Sequence, residues 1–170
     1  LIVVLVSLVG VPVLAAPPDA EFFKSKFLEI SDWESNISIW AGEGESPSNT
    51  YSYLYISTPQ LQCNFDQFPI DLPNMTGVSP IKWELAVPID DECWINYTGL
   101  SEIVFDLTLT PNLVTHGNYH SNVLVGDWQG QQCQNWQKSG NEVSGTINGE
   151  ALELSEYGQF SAYDDSCTFK

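Results

Sequence analysis

The segment EVSGTINGEALELS, residues Glu142–Ser155, decides the fold. Asn148-Gly149 is the preferred pair for a two-residue type I′ turn, because both residues tolerate positive φ. That turn sets Ile147 opposite Glu150, Gly145 opposite Leu152 and Val143 opposite Leu154. Val143, Ile147, Leu152 and Leu154 then share one face, and Ser144, Thr146 and Glu153 the other. Slipping the register by one residue would turn the apolar set to solvent, so the pairing is well specified.

The same two-residue period recurs upstream. Ile81, Trp83, Leu85 and Val87 alternate with Lys82, Glu84 and Ala86, and Ile103, Phe105, Leu107 and Leu109 alternate with Val104, Asp106 and Thr108. Such alternation marks strands with one buried and one wetter face. Further strands are expected at Ile37–Ala41, Thr50–Ser57, Leu61–Phe65, Cys93–Tyr97, Asn122–Gln129 and Gln159–Phe169. Many short strands separated by turn signals predict an all-β fold, an antiparallel β-sandwich with a meander or barrel as the alternative. Ala20–Ile30 reads as one short N-terminal helix, with Asp19 as N-cap and Phe23, Phe27 and Ile30 on one side, a strand being the alternative. Gly42–Asn49 reads as a flexible polar loop. Asp66–Pro80, with Pro69, Pro73 and Pro80, reads as a long irregular connection.

Residues 1–16 read LIVVLVSLVGVPVLAA. This uncharged apolar run ends in small residues, and Val13-Leu14-Ala15 fits a signal-peptidase site. It is shorter than the roughly 20 apolar residues of a spanning helix and is broken by Pro12. Residues 1–15 are therefore expected to be a signal peptide truncated at its N-terminus, and 16–170 a single secreted β domain, extracellular or periplasmic, with no membrane span after processing. The cysteines agree with export. Cys63, Cys93, Cys133 and Cys167 are even in number and match no CxxC metal pattern. In an oxidising compartment they would pair; of three possible connectivities, Cys63–Cys93 with Cys133–Cys167 is favoured because it staples each half separately.

Charge excludes several partners. The chain carries 22 acidic residues against 5 basic ones, a formal charge of −17, and every basic residue is Lys. Nucleic acid would be repelled, since affinity for phosphate backbones comes largely from Lys and Arg. An anionic membrane surface is disfavoured for the same reason. The 170 residues suffice for one ordinary domain, and 43% hydrophobic residues suffice for its core.

Tyr51, Tyr53 and Tyr55 are the candidate ligand-binding residues. In a strand they share one face at spacings of about 6.6–6.8 Å, with Leu54 and Ile56 on the other. If the aliphatic pair points inward, the rings form an outward ridge suited to stacking on sugars or on a protein partner. Trp33, Trp40, Trp83, Trp94, Trp128 and Trp136 add further platforms, with Trp83 expected in the core. His116 and His120 would stand about 13 Å apart in a strand, too far to share an ion. The acidic clusters match no twelve-residue Ca²⁺ loop, so neither metal nor cofactor is expected. The chain lacks GxSxG, HExxH, GxxxxGK[ST] and dinucleotide glycine signatures. Asn36-Ile-Ser38, Asn74-Met-Thr76 and Asn96-Tyr-Thr98 are glycosylation acceptors in a eukaryote.

Three functions fit these features. The first is a non-enzymatic β domain binding carbohydrate or another surface ligand through aromatic rings. The second is a polysaccharide hydrolase using two carboxylates. The third is a structural or protein-partner module, an inhibitor or envelope component recognising a cell-surface protein.

Overall fold

A computed structural model describes residues 20–46, 49–89, 92–119, 124–125 and 128–169. The expected leader lies outside them, as do His120 and the Asp90-Asp91 pair. The strands, in chain order, are β1 (Ala20–Asp32), β2 (Ile37–Ser46), β3 (Asn49–Ser57), β4 (Leu61–Asp66), β5 (Ile81–Pro88), β6 (Cys93–Asn96), β7 (Glu102–Thr110), β8 (Leu113–Tyr119), β9 (Leu124–Val125), β10 (Trp128–Gly140), β11 (Glu142–Ile147), β12 (Glu150–Ala151) and β13 (Gln159–Phe169). They build two antiparallel sheets. The long one runs β6-β4-β3-β2-β1-β13-β10-β8, with β9 paired to β10, and the short one runs β12-β11-β7-β5. The sheets pack face to face as a β-sandwich.

Cross-strand rows on the inner face of the long sheet locate the core. One row joins Ile56, Ile39, Ile30, Phe160 and Gly140; the next joins Leu54, Ala41, Leu28, Ala162 and Lys138. The aliphatic and aromatic members are buried. From the short sheet they meet Ile81, Trp83 and Val87 of β5 and the full alternating set Ile103, Phe105, Leu107 and Leu109 of β7. Trp83 stacks on Phe105 with ring centroids 4.9 Å apart, which places it in the core as its alternation predicts. Each buried residue of this size contributes roughly 1.5–3 kcal/mol.

Three sequence expectations need correction. Ala20–Ile30 is not a helix: β1 takes all of it, held between β2 and β13. The helical spacing of Phe23, Phe27 and Ile30 competes with a period-two pattern, and strand pairing on both sides favours the latter. Leu28 and Ile30 go inward, while Phe27 goes outward against Tyr163, 6.0 Å away. Gly42–Asn49 is not one loop. β2 continues to Ser46 and β3 starts at Asn49, because Gly42 and Gly44 lie directly beneath the rings of Tyr53 and Tyr51. Strand glycines covered by a cross-strand aromatic recover the packing that they lack alone.

The third correction concerns the Glu142–Ser155 hairpin. Its turn is as expected, with Asn148 at φ 56° and Gly149 at φ 80°. Ile147 faces Glu150, and Leu152 N–H donates to Gly145 O at 3.0 Å. The ladder ends at Ala151, however, and Val143 never pairs with Leu154. Asp32, at the end of β1, accounts for the departure. Its carboxylate accepts Ser155 N–H at 2.6 Å and Ser155 Oγ–H at 2.8 Å, drawing the segment back to the long sheet. All four expected apolar residues still pack against the core.

The two disulfides are Cys63–Cys93 and Cys133–Cys167. Each joins residues directly opposite in a ladder, β4 with β6 and β10 with β13. Disulfides of this kind persist in an oxidising, extracellular setting. No helix among the described residues is long and apolar enough to cross a membrane.

Candidate functional site

The outer face of the long sheet carries the aromatic ridge. Inward Leu54 and Ile56 are fully buried, so Tyr51, Tyr53 and Tyr55 point outward. Their cross-strand partners on β2 are Gly44, Gly42 and Trp40. The three tyrosines are therefore not equivalent. Tyr51 and Tyr53 lie down over glycines, and burial, with Tyr51 beside it, raises the pKa of the Tyr53 phenol above its ordinary value. Tyr55 instead meets Trp40, ring centroids 5.6 Å apart, and on its other side Trp94, 6.4 Å away.

Trp40–Tyr55–Trp94 thus forms a strip across the β2-β3-β4-β6 part of the sheet, with Trp94 of β6 reaching over β4 to Tyr55 of β3. Trp40 is 44% exposed and Trp94 58%. Trp94 is oriented by a 3.0 Å hydrogen bond from its indole N–H to Gln62 Oε1. The strip borders an open cleft of ≈ 400 Å³ that also presents Ser38, Tyr53, Asn64 and Asp66. Tyr53 faces Asp66, and Tyr55 faces Asn64, across the β3–β4 ladder. Flat rings flanked by hydroxyl, amide and carboxylate groups stack on apolar ring faces and hydrogen-bond equatorial hydroxyls.

Sequence inspection named the tyrosines and left Trp40 and Trp94 among the generic tryptophans. Trp40 was legible, since it alternates with Ile39 and Ala41 and must face away from them. Trp94 was legible only through the disulfide, because the Cys63–Cys93 bond seats β6 beside β4.

Carboxylates gather on the opposite face, where the long sheet overhangs the short one. One inner row reads Ser52, Glu43, Lys26, Asp164, Trp136 and His116 across six strands. It follows directly on the apolar rows, and its Ser52, Glu43, Lys26 and Asp164 line a cavity of ≈ 530 Å³ with Glu45, Lys24 and Ile70. Burial raises the pKa of Asp164, against the pull of Lys26 and the Met75 N–H; Asp165 and Glu43 add to the rise. These groups are already engaged. Lys26 Nζ pairs with Glu43 at 2.8 Å and donates to Leu72 O at 2.9 Å. Glu43 Oε2 accepts Leu72 N–H at 3.3 Å, Asp164 accepts Met75 N–H, and Lys138 Nζ donates to Ser79 O at 2.7 Å. Four ionisable side chains therefore supply backbone hydrogen bonds to the 67–80 connection, which belongs to no strand and otherwise bonds through Gln67 N–H to Ser52 O and Thr76 N–H to Asn74 Oδ1. Ile70, Leu72 and Met75 of that connection close the core.

The other candidates are dispersed. His116 stacks on Trp136 at 4.1 Å. Among the described residues no cluster of His, Cys, Asp or Glu could hold a metal ion. Asn36 and Asn74 are exposed, whereas Asn96 is half-buried and donates to Leu100 O at 2.8 Å. Asn74 Oδ1 accepts the Thr76 hydroxyl of its own sequon at 2.8 Å. No protein-family model matches the chain, and no curated protein or solved structure shows significant similarity to it.

Proposed function

We propose that this chain is a secreted, non-enzymatic carbohydrate-binding domain whose ligand lies on the outer face of the long sheet. The observation that carries the proposal is the Trp40–Tyr55–Trp94 strip, two exposed indoles flanking a half-buried phenol ring beside Asn64, Asp66 and Ser38. Large aromatic rings held by strands of one sheet lose little freedom on binding, which suits an extended ligand that offers one sugar face after another. Secretion is supported by the apolar leader and by two disulfides.

The hydrolase alternative receives less support. A glycosidase needs one carboxyl group free to protonate the leaving oxygen and a second free to act on the sugar or a water. Glu43 and Asp164 are the natural pair, yet both hold backbone N–H groups of the 67–80 connection.

The test is retention on immobilised polysaccharides. Trp94→Ala and Tyr55→Ala should each abolish most retention and leave the melting temperature within about 3 °C, as expected for side chains at the surface. Unchanged retention in both variants overturns the proposal, as does release of reducing sugar by the wild-type domain from the polysaccharide it binds.

A further inference from the structure

The charge on the aromatic face points to the class of sugar. Of the described lysines, Lys26 and Lys138 belong to the inner rows of the long sheet, Lys24 faces Glu45 on that same side, and Lys82 lies on the outward side of the short sheet. The outer rows of the long sheet contain none. They read Asn64, Tyr55, Trp40, Glu29 and Ser161 in one register, and Asp66, Tyr53, Gly42, Phe27 and Tyr163 in the next. Glu29 is the direct partner of Trp40, and Asp66 of Tyr53. The cleft is therefore walled by aromatic rings, lined by the Asp66 carboxylate with Glu29 on the strand beside Trp40, and without a cation among its lining residues.

We propose that the ligand of this cleft is a cationic amino-sugar polymer, a glycan of 2-amino-2-deoxyhexose units with free amines. This deepens, and rests on, the carbohydrate-binding proposal. Such a polymer has apolar ring faces for Trp40, Tyr55 and Trp94. It also has ammonium groups that the ring quadrupoles attract and that Asp66 and Glu29 can pair with. The chain's charge of −17 adds a long-range attraction that raises the encounter rate with a polycation. Uronate and sulfated polysaccharides would meet the same field as repulsion, with no Lys in the cleft to offset it.

The experiment compares binding of the full chain to four soluble probes by affinity electrophoresis and calorimetry. These are a deacetylated glucosamine oligomer, its N-acetylated form, a neutral β-glucan oligomer, and oligolysine as a polycation without sugar rings. The glucosamine oligomer should bind tightest and weaken as salt rises. Asp66→Asn should weaken it by up to about fivefold, the limit for a solvent-exposed ion pair, and flatten its salt dependence, while weakening the neutral oligomer less, because asparagine keeps an oxygen for a sugar hydroxyl. Trp94→Ala, which alters no charge, should remove binding of both. Equal affinity for neutral and amino sugars, with no effect of Asp66→Asn, would overturn this inference and leave the carbohydrate proposal standing. Oligolysine matching the glucosamine oligomer, with Trp94→Ala harmless, would reduce the attraction to bulk charge and overturn it too. Retention of no sugar probe at all would remove both proposals together.

Discussion

The ring of Tyr53 lies over Gly42, its direct cross-strand partner, so closely that a β-carbon on Gly42 would stand 2.5 Å from the ring's Cε1 and Cζ. Glycine at this position is what lets the tyrosine recline on the sheet. The ring edge is the free end of a side chain and can swing aside. Gly42→Val should therefore leave stability within about 1 kcal/mol, since valine suits a strand, and should lower glycan retention by tilting Tyr53 into the cleft. Thermal melting and retention measured on the same variant check both halves.

Gly145 makes the opposite case. Its φ is +123°, and a β-carbon there would collide with the backbone carbonyl of Asp106, which cannot move aside. Gly145→Ala should lose about 3 kcal/mol, measured by urea unfolding, from backbone strain and clash.

Asp32 is buried and accepts four hydrogen bonds, from Ser155 N–H and Oγ–H and from the N–H groups of Glu34 and Ser35. Burial alone would raise its pKa, but the bonds from Ser155 and Ser35 outweigh it and bring the value from 3.8 to about 2. A depressed carboxyl stabilises the fold above the unfolded value and loses that contribution as pH falls through the folded one. Asp32 should thus contribute fully above pH 3.8 and progressively less toward pH 2. Asp32→Asn, which replaces an acceptor with a donor facing Ser155, should cost about 2–3 kcal/mol at neutral pH. The deficit should shrink in acid.

Asp164 has the reverse sign. Its pKa is raised above 3.8, so the fold prefers it protonated, and stability is lost as pH rises from the unfolded value through the folded one. Asp164→Asn keeps an oxygen for Met75 N–H and removes the charge. The variant should be at least as stable as the wild type at pH 7, with the difference gone by about pH 3, below both pKa values. Denaturation midpoints at the two pH values test this. A clear loss at pH 7 would show that pairing with Lys26 outweighs burial.

The two disulfides close loops with sequence separations of 30 and 34. Removing either pair as a double Cys→Ala variant should cost about 3–4 kcal/mol by chain entropy. Peptide mapping without reductant should recover Cys63 with Cys93 and Cys133 with Cys167, and no crossed pair.

Much of this was legible because a period of two is a local property. Ile81–Val87 and Ile103–Leu109 alternate without interruption, and both became strands with the expected faces inward. Asn148-Gly149 fixed its turn through backbone preference alone. The tyrosine face followed from Leu54 and Ile56. Reading failed where two periods fit the same residues, as at Phe23, Phe27 and Ile30. It also failed where a local tendency was overridden from a distance, as when Asp32 captured Ser155.

By itself, the sequence determined the all-β class, the inward set of each regular strand, and a surface with too few basic groups to hold a polyanion; of the three possible cysteine pairings it favoured one, and the structure decided it. Only the tertiary structure decided which strands are neighbours. That choice set Trp94 beside Tyr55 and Gly42 under Tyr53, and spent Lys26, Glu43 and Asp164 on the backbone of the 67–80 connection. The reason is physical. Alternation along one strand says which face a side chain takes, but the groups beside it on that face come from strands distant in sequence, and no local preference encodes their order.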